Sequence, residues 1–473
     1  MPVENFPNPA VASRPATQPD GTAMRLPLSL LALLISICLA GAAHSRCIDE
    51  EVFDPAKFTG AGPGKGQLTA NPRAAVQQLV RDTLLRSHGL GAARLMAEAA
   101  EQEVAEAKAA KLPQASLAGA LEPSLTSTSL VRSQATAQVR AGVQVGQVMF
   151  DGGRSDRIID WRKYQADASR LGLLSTQEQL SLTALSLAFE RSRWRMQVVI
   201  YGQYVRKMSC LVEALESIVT ADRGRTSELV LARKQVQQAE LQQVQAQSQA
   251  RLVEARLRRM AGDGLPSVDG MAALMMKVPE LPVVLTAAEQ SHEIAQLDAN
   301  AMGMKAMAMA VEAGTRPQVS WNVSGSALVG GSSNTGSNHG ATLSAGLAVS
   351  IPLLNPATDH TIQAARKRAE AARLQRADAL ESRRQRIVEV HEQATSAFDR
   401  LVRVGAVLKD SDRLRDFTLQ QWQQLGRRSL FDVMSTEGDH YNLRVQYVNA
   451  LHDGEQLNAM LFSLGTGLTA WLQ

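Results

Sequence analysis

The chain has little of what most enzymes and small secreted domains depend on. Its 473 residues include three scattered cysteines and eight histidines without metal-ligand spacing. That argues against a disulfide framework and against a zinc site. Aromatic residues make up 4 %, too few for a ring-rich enzyme core. Neither charge sign dominates: 50 Lys and Arg against 46 Asp and Glu leave +4. No polyanion-binding field follows, and nucleic acid is not expected as a partner. There is no G-x-x-x-x-G-K-[ST] loop to cradle a nucleotide. No Ser, His and acid fall into a spaced catalytic motif. Ser320 and His360 stand isolated, and His391, His440 and His452 sit on helical stretches where lone histidines ordinarily pack or face solvent. Neither an enzyme nor a cofactor is expected. After residue 45 no segment is apolar enough for a transmembrane helix.

The amino terminus is where apolar residues do concentrate. Met24 and Arg25 precede a mostly apolar run, Leu26–Ala40, followed by the small residues Gly41 to Ser45. This is the order of a secretory signal peptide, and residues 1–23 read as an upstream extension of the reading frame. The run is shorter than the ~20 residues that a bilayer helix needs. The mature chain is expected to be exported, and to enter a membrane only as strands.

The rest of the chain is written twice. Pro113-Gln114-Ala115-Ser116 returns as Pro317-Gln318-Val319-Ser320, and Phe150-Asp151 as Leu354-Asn355. Gly224-Arg225-Thr226-Ser227 returns as Gly426-Arg427-Arg428-Ser429. Three markers in one order and nearly one offset indicate an internal repeat. Each half reads helix, strand, loop, strand, long helix, long helix. The expected organisation is 1–45 extension and signal peptide, 46–71 N-terminal extension, 72–262 first repeat, 263–286 linker, 287–467 second repeat and 468–473 tail.

Strands are expected at about 113–122, 137–150, 317–328 and 341–352, from their period of two. Ser-, Thr-, Gly- and Asn-rich loops would fill about Glu122–Thr136 and Gly330–Gly340. Each run is close to the 9–11 residues with which a tilted strand crosses a bilayer. Val143, Val145, Val319, Trp321, Leu343 and Leu347 would then face lipid, and Arg140, Gln144, Asn322 and Ser344 a lumen. Four strands cannot close a barrel, and an open edge cannot persist in lipid.

The helices are long. Between Ser155 and Gly262 breaks are expected only around Tyr201–Ser209 and Asp222–Arg225, and Thr358 to Gly465 contains no proline. The second helix–helix turn is expected near Arg403–Asp412, where charges crowd. Arg400, Arg403, Asp410 and Asp412 are the candidate salt-bridging residues of a pore constriction; a merely solvated turn is the alternative. The matching stretch of the first half has Arg206 and Lys207 but no acid.

Two motifs are more specific. Gly426-Arg427-Arg428-Ser429-Leu430-Phe431-Asp432-Val433 opens a helix that carries Tyr441, Asn442, Val445, Ala450 and Leu461 and ends at Gly465. Val148-Met149-Phe150-Asp151-Gly152-Gly153-Arg154 joins a strand to a helix. In these motifs, the repeat and the Pro-Gln-x-Ser strand starts, about residues 72–467 resemble the TolC-like outer-membrane efflux and secretion channels of Gram-negative bacteria. The second junction, Leu353-Leu354-Asn355-Pro356, lacks the glycine pair, and Leu229-Val230 stands where an Asp-Val pair is usual. Cys47–Pro72 has no counterpart.

The resemblance implies a mainly α, internally duplicated fold with a small β part. It implies a homotrimer whose 12-stranded barrel sits in outer-membrane lipid and continues as a long α-helical barrel across the periplasm. Such a duct is passive. A periplasmic adaptor joins it to an inner-membrane ABC transporter or a resistance-nodulation-division (RND) pump. Type I protein secretion is favoured, because the Gly426–Gly465 helix and the absence of a lipid-attachment cysteine look more like that branch. Drug or metal efflux is the alternative. A coiled-coil envelope protein is a third reading, which the matching hairpins do not fit.

Overall fold

A computed structural model describes residues 71–472, apart from 129–130, 222, 267–270, 333–335 and 426–427. The expected signal peptide, nearly all of the N-terminal extension, and Gly426 and Arg427 lie outside the described residues. The first half runs α1 (Pro72–Arg86), α2 (His88–Ala109), β1 (Gln114–Thr128), β2 (Val131–Phe150), α3 (Arg154–Ala221) and α4 (Thr226–Ala261). The second runs α5 (Leu281–Ala288), α6 (His292–Ala313), β3 (Gln318–Ser332), β4 (Gly336–Ser350), α7 (Pro356–Leu425) and α8 (Leu430–Leu464), with a short α9 (Leu468–Leu472) after it. Helices α2 and α6 are both 22 residues long and begin 204 positions apart. Strands β1 and β3 are both 15 residues long and begin 204 apart again.

The long helices dominate. α3 has 68 residues and α7 has 70, each about 100 Å at 1.5 Å per residue. Helices of that length need neighbours throughout. α3 lies against α1, α2, α4, α6, α8 and α9, and α7 against α5, α6 and α8. Near the middle, Val76 and Leu79 of α1, Leu185 and Phe189 of α3, Val253 and Leu257 of α4, and Leu468 of α9 share one buried cluster. Further along, Ile200, Tyr204, Met208, Leu211 and Leu215 of α3 recur at threes and fours and pack on Met434, Tyr441 and Val448 of α8. Along the α6–α7 seam, Arg366–Glu312 at 2.7 Å, Arg376–Asp298 at 3.5 Å and Arg383–Glu293 at 2.6 Å form an antiparallel ion-pair ladder.

Three expectations are corrected. α3 passes through Tyr201–Ser209 without a break. That stretch holds no proline, and its apolar row is the buried face of the helix. α7 likewise passes through Arg403–Asp412 and continues to Leu425. The charges there are solvated or paired along and between helices, while Leu401 and Leu408 keep the buried face. The hairpin loops are shorter than expected, because β1 reaches Thr128 and β2 starts at Val131, and β3 reaches Ser332 and β4 starts at Gly336. Small hydroxyl residues there pair across strands; the Ser124 and Thr136 hydroxyls lie 2.6 Å apart.

Candidate duct wall and its closing end

The four strands form one antiparallel sheet in the order β1-β2-β3-β4. Opposed residues share a face, so the register sorts the candidates. Leu117 opposes Val143, Ala115 opposes Val145, and Val145 opposes Val323. Trp321 opposes Leu347, Val319 opposes Val349, and Gly325 opposes Leu343. Val143, Val145, Val319, Trp321, Leu343 and Leu347 therefore lie on one face. Gln144 opposes Ser324, which opposes Ser344, and Arg140 and Asn322 share their parity, so these four lie on the other. Among the described residues no sheet side chain belongs to the buried core. Leu343 is 82 % exposed and Leu117 79 %. Among the described residues no other element packs on the apolar face, and β1 and β4 are free edges. The Trp321 indole N–H donates to the Gln147 carboxamide at 3.1 Å, so the ring lies on the apolar face with its polar atom satisfied.

Each hairpin hands over to a long helix by a different cap. In the first, Gly152 and Gly153 have φ of +67° and +88°, a region that favours glycine. The turn lets the Asp151 carboxylate accept from the backbone N–H groups of Gly153 at 3.1 Å and Ser155 at 2.8 Å, and from the Ser155 hydroxyl. Partial burial pushes the Asp151 carboxyl up, but these bonds outweigh it and hold the group below its ordinary range. The Arg316 side chain lies across Gly152, where a Cβ would come within 2.5 Å of it, and donates to the Gly152 carbonyl at 2.8 Å. In the second junction the Asn355 side chain accepts from Ala357 N–H at 3.2 Å, and Pro356 takes the first helical position, where no N–H is needed. Asn and Pro thus replace the Asp-Gly-Gly turn.

The far ends of the helices meet at two short turns. Arg223–Arg225, with Gly224 between, forms a 3-10 turn before α4. Before α8, Ser429 and Asp432 make a capping box: each side chain accepts from the other's backbone N–H at 3.2 Å. At the other end of α8, Gly465 allows α5 to approach closely; a Cβ there would meet Val284 at 2.8 Å.

Above these turns lies a buried ionic cluster that joins α3, α7 and α8. Glu437 is fully buried, with Lys207 at 3.6 Å and Arg415 at 3.8 Å. Arg415 also reaches Asp412 at 3.7 Å. His440 Nε2 is 3.4 Å from Asp412, and the Ser411 hydroxyl is 3.2 Å from its Nδ1. Burial, reinforced by Arg444, Arg415 and Lys207, pushes the imidazole down to about 3. The His440–Asp412 contact is thus made by a neutral ring and is no ion pair. Lys207 does have an acid, supplied by α8. The signal was present in sequence: Glu437, His440, Tyr441 and Arg444 recur at helical core spacing on an otherwise apolar face.

The gate candidates are not brought together. Arg400 reaches Asp453 of α8 at 3.9 Å, and Asp410 pairs with Arg413 one turn along its own helix at 3.6 Å. Arg403 is exposed on α7, and Asp412 belongs to the buried cluster. Among the described residues no group of His, Cys, Asp and Glu could hold a metal ion, and no helix is long and apolar enough to cross a membrane.

Neither a protein-family model nor a curated protein matches the chain at the level of sequence. Solved structures do match. The transmembrane channel protein CusC aligns at 14 % identity and a TM-score of 0.72, over 83 % of this chain and 92 % of that one. VceC, an outer membrane protein of Vibrio cholerae, aligns at 16 % and 0.68, over 84 % and 97 %. The outer-membrane channel OprN aligns at 15 % and 0.70, over 90 % and 96 %. The likeness covers at least 83 % of this chain in each case, and the chain has the fold of TolC-like outer-membrane channels.

Proposed function

We propose that three copies of the mature chain form a passive exit duct across the outer membrane and periplasm. The observation that carries this is the sheet: four strands with two free edges and a largely uncovered apolar face, continued by helices about 100 Å long. A sheet of that kind is stable in lipid only when closed. Three copies give twelve strands, with the Val143, Val145, Val319, Trp321, Leu343 and Leu347 face on lipid and the Arg140, Gln144, Asn322 and Ser344 face on water. Strands of 15 residues extend about 50 Å, enough to cross the ~30 Å hydrocarbon core at a tilt.

With no nucleotide loop, the energy comes from a partner in the inner membrane, reached through a periplasmic adaptor. The partner we favour is an ABC transporter of type I protein secretion; an RND-type pump for drugs or metals is the alternative. Copurification of the tagged duct separates them by which transporter it retains. The duct itself is tested by reconstituting the purified chain, lacking Leu26–Ala40, in planar bilayers. Stepwise conductance from a species of trimeric mass is expected, and a monomer without conductance would sink the reading. The helix ends close the resting duct; Arg400, Arg403, Asp410 and Asp412 lie about 20–38 Å short of the α7 end at Leu425 and remain our candidates for a constriction along that helix.

A further inference from the structure

The free edges β1 and β4 carry their own register, readable from the duplication. Paired residue numbers total 260 between β1 and β2 up to Thr126, and 668 between β3 and β4 throughout. The totals differ by 408, twice the 204-residue repeat, so the two hairpins are one structure written twice. Between the hairpins, β2 and β3 pair at a total of 468 from Thr136–Ser332 to Val148–Ser320. Shifting β2 forward by one repeat gives β4, and shifting β3 back by one repeat gives β1, which leaves that total unchanged.

We propose that β4 of one copy pairs antiparallel with β1 of a second copy of this chain at the same total of 468. The proposal rests on the closed-trimer reading and adds the residue-by-residue joint. In this register Leu347 opposes the partner subunit's Leu121, and Leu343 opposes the partner subunit's Leu125. All four side chains are on the apolar face, and within one chain they are 70 to 82 % exposed. On the polar face Ser344 opposes the partner subunit's Ser124. Ser344 already meets the Ser324 hydroxyl at 2.7 Å, and Ser124 meets that of Thr136 at 2.6 Å. The joint therefore completes an unbroken hydroxyl row from Ser324 to the partner subunit's Thr136.

Neighbouring registers lose these matches. A slip of one residue carries Leu347 to the polar face. A slip of two in one direction sets Leu347 against the partner subunit's Gly119, and in the other against the partner subunit's Pro123. Neither slip pairs Ser344 with Ser124. The edges that must be sealed in lipid are thus matched at the register that already joins the two halves.

The test uses the full chain with paired cysteines: Ser124→Cys with Ser344→Cys, and the two-residue slips Ser124→Cys with Thr342→Cys or with Gly346→Cys. Directly opposed Cβ atoms lie about 4.5–5.5 Å apart and diagonal ones about 7–8 Å. Under mild oxidation the first pair should give at least about fivefold more covalent trimer on non-reducing gels than either slip. Unaltered chain and each single variant are the baselines. Preferential crosslinking of a slip pair overturns the register. So does an uncrosslinked Ser124→Cys/Ser344→Cys variant that native mass spectrometry shows to be a trimer. If the unaltered chain is monomeric by native mass, the trimer reading itself falls.

Discussion

Asp151 and Asn355 solve one local problem, how to start a long helix at the end of a strand, with different chemistry. Asp151 caps through a charged oxygen and depends on two positive-φ glycines; Asn355 caps through an amide and lets proline set the backbone. Asp151→Ala should cost about 1 kcal/mol in urea unfolding, the ordinary price of a lost N-cap. Gly152→Ala should cost more, because the new Cβ meets both a positive φ and the Arg316 stem. The buried histidines lower stability in acid, while Glu455, whose buried carboxyl is pushed well up by desolvation, acts in the opposite direction. Burial pushes His440 down to about 3 and His452 down to about 4. In the unfolded chain both titrate near 6.5. Below that pH the unfolded state binds protons that the folded rings do not, so stability falls as pH drops from about 6.5 toward 4, by up to about 1.4 kcal/mol per unit for each ring. The difference in urea midpoints between the unaltered protein and the His440→Gln/His452→Gln double variant from pH 7 to 4 should show that slope.

The continuity of α3 and α7 makes each a single lever from the sheet to the turns before α4 and α8. What ties the levers near those turns is the Lys207–Glu437–Arg415 cluster, with one member from each of α3, α8 and α7. Truncating one partner leaves buried charge behind, so Lys207→Met should destabilise by about 3–5 kcal/mol. Adding Glu437→Leu and Arg415→Met should recover much of that loss in thermal melts, because similar apolar volume avoids the desolvation cost. The exposed residues of α7 are a different case. Arg403→Ser with Asp410→Ala removes one exposed pair, Asp410–Arg413, which contributes about 0–1 kcal/mol, so trimer yield should hold. If that flank helps close the duct, single-channel conductance should rise; unchanged conductance removes these residues from the gate and leaves the duct intact.

For the assembled molecule the environment of the sheet decides stability. A chain with no core beneath its strands must find apolar cover outside itself; in the proposed duct lipid would cover one face and water the other. Leu347→Arg should therefore cost roughly 2–4 kcal/mol near the midplane, and Ser344→Arg much less. Folding yield into lipid vesicles under increasing urea measures both. Equal costs on the two faces would remove the assignment of lipid and lumen. A coiled-coil envelope protein would show no such asymmetry.

Local rules were enough for much of this protein. A period of two, visible in Val143 and Val145 or Leu343 and Leu347, assigned the faces of the sheet, because alternation is a property of each strand alone. The repeat offset and the Gly426–Asp432 and Phe150–Gly153 motifs were legible for the same reason: turns and caps involve residues within four positions of one another. Helix ends were read less well. Crowded charges at Arg403–Asp412 look like a turn, yet an α-helix accommodates them wherever one face stays apolar, as Leu401 and Leu408 do here. Folding alone decided which charges are buried. Lys207 and Glu437 stand 230 positions apart in the chain and meet only because α8 packs against α3. Desolvation and pairing depend on what arrives from elsewhere, and no window of the sequence contains both partners.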